Sequence, residues 1–183
     1  MSRSRIRETR SITTLVVPVP EAELAVAGLR AAHDPWARRG VPAHVTLLGP
    51  FVPAEKVTDE VVERLRILFA HCRPLRFRLV RARRWGDVVY LQPRPARQFR
   101  RLTLSLATRW PQTLGAPSNL RRLLDSHLTV GRGLRAHAAR DLISELERFL
   151  PIEAEVHEAV LLRQLADGRL GTFARFGFGA PPA

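Results

Sequence analysis

The stretch AHVTLLGPF, residues 43–51, sets a histidine and a threonine two residues apart among apolar neighbours, and SHLTVGRG, residues 126–133, does so again. His44 and Thr46 of the first are matched by His127 and Thr129 of the second, 83 positions on. Short runs of this kind, rich in Val, Leu and Thr and closed by Gly or Pro, read as strands. Successive side chains of a strand alternate faces. His44 and Thr46 then share one face while Val45 and Leu47 turn into a core, and His127 and Thr129 do the same with Leu128 and Val130 behind them. One polar edge on an apolar backing is ordinary. A second in the matching place of the other half argues for a duplicated site.

The surroundings of the two motifs run in a similar order. SITTLVVPV (11–19) reads as a strand, EAELAVAGLRAAHD (21–34) as a helix, and PWARRGVPA (35–43) as the loop before the first motif strand. A helix over 54–72 is predicted by the spacing of Val57, Val61, Val62, Leu65, Leu68 and Phe69. Two strands follow, LRFRLVRARRW (75–85) and DVVYLQP (87–93), turning about Gly86–Asp87. The second half reads as a helix over 96–110, a loop over 111–119, the motif strand at 127–131 and a helix over 135–150 ended by Pro151. IEAEVHEAVLLRQL and LGTFARFGFG then read as a hairpin about ADGR (166–169). A period of 83 is far longer than a solenoid repeat. The expected architecture is α+β: a bilobal, duplicated module with pseudo-two-fold symmetry. Two mostly antiparallel sheets line a central cleft, and helices pack outside. Residues 1–10 read as a basic, mobile tail and 11–183 as one bilobal domain. The lobes fall near 11–93 and 94–183, with elements free to exchange between them.

Composition narrows the functional classes. Of 183 residues 45% are hydrophobic, enough for a core and too many for general disorder. No apolar run approaches the roughly 18 residues of a membrane span. The basic start lacks the pattern of a secretory signal, so a cytoplasmic location is expected. Cys72 is the single cysteine and falls in an apolar helical pattern, which suits packing in a reducing compartment. Net charge is +13 and Lys56 is the only lysine, so the surplus is arginine. A positive field favours polyanion partners, although an arginine-rich composition alone does not establish one.

The doubled pair suits displacement at phosphorus. That reaction takes a proton from the incoming nucleophile and gives one to the leaving oxygen on the opposite side. Histidine, with an ordinary pKa of about 6.5, does either at neutral pH. Threonine hydroxyls donate to the non-bridging oxygens as their charge rises. No carboxylate or cysteine stands at metal-ligand spacing to either motif, so no metal and no cofactor are expected.

HVTL (44–47) and HLTV (127–130) resemble the paired H-x-T-x motifs of the 2H phosphoesterases, the group that includes the bacterial 2′-5′ RNA ligase-like proteins. The likeness extends from TTLVVPVPEAE to the final strands, and Ser126 departs from the proline that many relatives carry there. The resemblance implies a bilobal fold and metal-independent chemistry on 2′,3′-cyclic or 2′,5′-linked phosphodiesters. A terminal cyclic phosphate would open to a 2′-phosphate, and 2′-5′ ligation would be the same displacement in reverse. It assigns His44 and His127 as the acid/base pair, in either order, and Thr46 and Thr129 as phosphate donors.

Further candidates are Arg132, as a phosphate contact or a solvated strand end, and Tyr90, as a base or ribose contact or a half-buried strand residue. Trp85 is equally a packing residue or a platform. His33, His71, His137 and His157 read as surface or helix-end residues. The expected partners are RNA ends or small nucleotides with a cyclic phosphate, with no membrane, and the expected state is a monomer. The alternatives are a non-catalytic RNA-binding module, or an enzyme acting on a non-RNA cyclic phosphate or a 2′,5′-oligonucleotide.

Overall fold

Strand β1 (Thr13–Pro18) leads into helix α1 (Pro20–His33) and a single turn, α2 (Pro35–Arg38), before the first motif strand β2 (His44–Leu48). Helix α3 (Asp59–Ala70), strands β3 (Leu75–Trp85) and β4 (Val88–Arg94) and helix α4 (Arg97–Arg109) follow. The second motif strand is β5 (Leu128–Gly131), then come α5 (Ala136–Leu146), β6 (Ile152–Val156), β7 (Glu158–Gln164) and β8 (Leu170–Gly177). The computed structural model describes residues 12–114 and 124–179. The basic tail expected over 1–10 and the end of the 111–119 loop lie outside the described residues.

All eight strands join one antiparallel sheet in the order β6-β3-β4-β5-β2-β1-β7-β8. Its middle is a seam, where β2 and β5 meet at the single register pair Val45 opposite Leu128. Four strands lie on each side, with a motif strand innermost in both. The two antiparallel halves expected from the sequence are thus joined into one curled sheet. Backbone hydrogen bonds at so short a seam contribute only about 0.5–1.5 kcal/mol each. Burial contributes more: Val45 and Leu128 are both fully buried, and each such side chain is worth about 1.5–3 kcal/mol.

The helices cross over. α1 packs on β5 and β6 and α5 on β3 and β4, while α3 covers β8 and α4 covers β2. α1 begins with Pro20, has Glu21 and Glu23 in its first turn, and ends with Arg30 and His33. Proline fits the first turn, and the charges complement the helix dipole. The Thr58 hydroxyl caps α3 by accepting from Val61 N at 3.4 Å. The main core lies between sheet and helices, with Phe69 stacked on Phe176 and Phe178 and Phe77 edge-on to Phe99. A smaller cluster of Val16, Val41, Val160, Leu162 and Leu170 under Trp36 covers the opposite face of β1 and β7.

Four elements depart from the sequence reading, among them the helix read over 135–150, whose α-helical part ends at Leu146 and closes as a 3-10 turn over Glu147–Phe149. The run 152–165 is two strands: β6 pairs with β3 at one edge of the sheet, β7 pairs with β1 in the other half, and only β7 and β8 form the hairpin. The alternation of Ile152, Ala154 and Val156 breaks at His157–Glu158 before the continuous apolar run Ala159–Leu162, a local break that does not say the chain crosses to the other half. Residues 54–56 are a 3-10 turn ahead of α3, because Thr58 is the residue that caps it. Part of the expected loop at 35–43 closes into α2, where the Asp34 carboxylate accepts from Trp36 N at 3.1 Å.

Candidate active site

Residues directly opposite in an antiparallel pair project to the same face. With Val45 opposite Leu128 and both in the core, His44 falls beside Thr129 and Thr46 beside His127, all four on the other face. The histidines sit at diagonal positions, about 7–8 Å apart along the backbone. That separation leaves room for one phosphate between the rings.

The two imidazoles are held alike. His44 Nδ1 lies 2.7 Å from the Pro42 carbonyl and His127 Nδ1 lies 2.6 Å from the Asp125 carbonyl, each two residues back. A carbonyl only accepts, so Nδ1 carries the proton and Nε2 is left as the basic nitrogen of each neutral ring. The Tyr90 ring stands edge-on to His127 with centroids 5.4 Å apart, and Tyr90 pairs with Thr129 across β4 and β5.

Beneath the motifs lies a charged network that the sequence reading missed. Arg30, on the inner face of α1 and fully buried, donates from Nε to the Thr129 carbonyl at 3.2 Å and from Nη1 to the Val41 carbonyl at 3.0 Å. It therefore ties the second motif strand to the segment leading into the first. Its Nη2 meets Asp34 Oδ2 at 2.9 Å, both groups being about 1% exposed. Glu23 adds an ion pair to Arg30 at 3.4 Å and accepts from Ala43 N, next to His44. Arg132 completes the network: its Nε is 3.8 Å from Asp34 Oδ1, and its Nη2 donates to Thr129 Oγ1 at 3.1 Å. Because the Thr129 oxygen accepts from Arg132, its own hydrogen is left to donate elsewhere.

His44 is half-buried, with one edge toward solvent. Burial lowers its pKa to about 4; the hydrogen bond to Pro42 and the Asp34 charge work upward, and the Arg30 and Arg132 charges work downward. The ring is neutral at pH 7, which is the state of a base.

A cavity of about 460 Å³ opens over this face. Thr46, Asp125, His127 and Arg132 line one part, the turn Trp85–Val88 another, and Gly49, Pro50, Thr113 and Leu114 the rest. His44, Thr129 and Tyr90 are not on its lining; Thr129 is buried beneath Arg132. Among the described residues no three His, Cys, Asp or Glu side chains are grouped to hold a metal. Cys72 lies away from the site against the Leu68 carbonyl, and burial pushes its thiol pKa up. No described helix is long and apolar enough to cross a membrane.

Three solved structures share this fold. A phosphoesterase is 23% identical with a TM-score of 0.54, covering 92% of this chain and 98% of its own. Escherichia coli LigT complexed with 3′-AMP is 22% identical with a TM-score of 0.57, over 92% and 97%. TT0787 of Thermus thermophilus is 19% identical with a TM-score of 0.56, over 93% and 100%. No curated protein matches the chain. A profile of the 2′-5′ RNA ligase superfamily matches residues 18–168, taking in both motif strands and the network that joins them. The chain belongs to the 2′-5′ RNA ligase superfamily.

Proposed function

We propose that this protein is a metal-independent phosphodiesterase that opens a terminal 2′,3′-cyclic phosphate of RNA or of a nucleotide to a 2′-phosphate. His44 Nε2 takes a proton from water, and the water oxygen attacks phosphorus in line. The bond from phosphorus to O3′ breaks, and His127 gives a proton to the departing O3′. The same displacement with a ribose 5′-hydroxyl in place of water, its proton going to His44 and O3′ again leaving with a proton from His127, gives the 2′-5′ ligation. Thr46 and Thr129 donate to the non-bridging oxygens, with Arg132 holding Thr129 in place. The chain acts as a monomer without a cofactor.

The single observation that carries this reading is the Val45–Leu128 register, which sets two Nδ1-tethered imidazoles diagonally on one open face. Family membership supports phosphodiester chemistry of this kind. The lowered pKa of His44 supports its part as the base rather than the acid. A purely RNA-binding module has no need of two tethered imidazoles.

The test is a panel of 2′,3′-cyclic mononucleotides, RNA with a cyclic end and 2′,5′-linked dinucleotides, assayed with and without EDTA. The expected result is 2′-phosphate product from cyclic ends, undiminished by EDTA. A 3′-phosphate product, or no turnover of any cyclic phosphate, defeats the proposal.

A further inference from the structure

The face that carries the histidines continues in two unlike directions. On the β1 side, Thr46 is followed across the sheet by Val16 and then Val160, which lie in the apolar cluster under Trp36. The next residue of that row, Arg175 opposite Val160, is already paired with Glu158. On the β4 side the row runs from Thr129 to Tyr90 to Arg83, each opposite the next. Val89 and Leu91 are buried on the core face, so Tyr90, Gln92 and Arg94 alternate onto the open face. Arg94 stands opposite Arg78 on β3.

These arginines are exposed and weakly engaged. Among the described residues Arg83 has no ion pair and Arg94 meets only the Gln92 amide oxygen at 3.4 Å, while Arg78 reaches Glu153 at 3.7 Å between exposed groups. Like charges opposite one another on a sheet are unfavourable, and an anion lying between Arg78 and Arg94 relieves that. Arg83 lies two strands from the second motif, about 10 Å away, and Arg94 about 14 Å along the strand from Tyr90. Both lie within reach of a short single strand whose end sits at the histidines, since backbone-tracking sites commonly take about 4–16 nucleotides.

We infer that the open face of β3 and β4, carrying Arg78, Arg83 and Arg94 beside Tyr90 and Gln92, is a track for the single-stranded RNA that leads to the reacting end. A cyclic phosphate closes the 3′ end of a chain, so the nucleotides that follow the track are those on its 5′ side. The inference rests on the proposed phosphodiesterase reading and narrows its substrate to an oligoribonucleotide rather than a free nucleotide.

The experiment compares kcat/KM for a 2′,3′-cyclic mononucleotide and for single-stranded oligoribonucleotides of increasing length with the same cyclic end. Three proteins are needed: the wild type, Arg83→Gln with Arg94→Gln, and a control with Arg140→Gln and Arg148→Gln in and beyond α5, against the core side of the sheet. Wild-type kcat/KM should rise with length and fall steeply with salt. The Arg83/Arg94 variant should lose about tenfold on the oligomer, with a shallower salt slope, as fewer phosphates are neutralised. Its turnover of the mononucleotide should be unchanged, and the control variant should match the wild type on both. Equal wild-type efficiency on oligomer and mononucleotide overturns the track, as does an equal loss on both substrates or the same loss in the control. If the wild type turns over neither, the phosphodiesterase reading has failed on its own account. Oligomer affinity then decides the track, which is lost if the Arg83/Arg94 variant binds as tightly as the wild type.

Discussion

Val45 faces Leu128 across the seam of the sheet, and among the described residues no other register pair joins the two halves. Both side chains point into the core, so their polar neighbours point out together. The shared polar face is therefore a consequence of core packing. A one-residue slip of β5 against β2 would turn its whole polar set to the other side. The buried Arg30, bonded to the Thr129 and Val41 carbonyls, opposes such a slip from below.

His44→Ala and His127→Ala should each lower kcat by roughly 10²–10⁴, the usual loss for a general acid or base. Because both protons move in one displacement, the double variant should fall little further than the worse single one. Single-turnover assays on a cyclic mononucleotide measure this. Losses that multiply, or a double variant with wild-type turnover, would show that the imidazoles do not act on one phosphate.

The depressed pKa of His44 has consequences for rate and for stability. With the ring held near 4, the acid limb of kcat/KM should lie well below the ordinary 6.5 of histidine. A bound phosphate brings negative charge and raises the pKa, so the acid limb of kcat should lie higher. For stability, the unfolded ring takes its proton near 6.5 and the folded ring resists until about 4. Between those values the unfolded chain binds more protons, so this contribution is complete above 6.5 and is lost as pH falls toward 4. Denaturant titrations from pH 4 to 7 should give a shallower slope for His44→Gln than for the wild type; parallel slopes would remove His44 as the cause.

Much of the fold and of the placing of the candidate site was legible because it depends on local pattern. The motif strands, the Leu75, Phe77 and Leu79 alternation of β3 and the helical faces all follow from periodicity, whereas the end of α5 falls at Leu146, ahead of Pro151. What escaped depends on contacts distant in sequence. Val156 and Glu158 are two residues apart yet pair at opposite sides of the sheet, β6 on β3 and β8 on β7. No alternation pattern records which neighbour a strand chooses. Arg30 escaped for a related reason: among the apolar residues of α1 it reads as a solvated charge. Only its partners on β5, the Val41 segment and Asp34 show that it is buried. An arginine followed four residues later by an aspartate at a helix end was the one available signal, and it is common on surfaces.

Asp34→Ala should destabilise the protein by about 3–5 kcal/mol, because it leaves the Arg30 guanidinium buried with its nearest countercharge gone. Loss of the α2 cap adds about 1 kcal/mol. Glu23 and two carbonyls remain on Arg30, so the loss should stop short of unfolding at room temperature. Urea denaturation measures it. Adding Arg30→Met should restore part of the stability by removing the stranded charge, whereas an additive double variant would mean that the pair is not coupled.

Gly131, between Thr129 and Arg132, is a glycine for reasons of space. A methyl group built there would lie 2.7 Å from Leu134 Cδ1, 3.0 Å from Leu142 Cδ2 and 3.1 Å from His33 Cβ. The Leu134 tip can rotate away, but Leu142 is buried in the main core and His33 Cβ is fixed to the end of α1. Gly131→Ala should therefore push α1 away from β5, at about 1–3 kcal/mol for an overpacked site. That displacement acts on Arg132, whose backbone N–H donates to the His33 carbonyl at 2.9 Å, and through it on the Thr129 hydroxyl. Turnover of a cyclic mononucleotide should fall with the affinity for phosphate, while the His44 acid limb stays in place. Leu134→Ala with Gly131→Ala relieves only the nearest clash, so partial recovery is expected. Wild-type stability and turnover in Gly131→Ala would mean that the helix and strand are not held at the separation described.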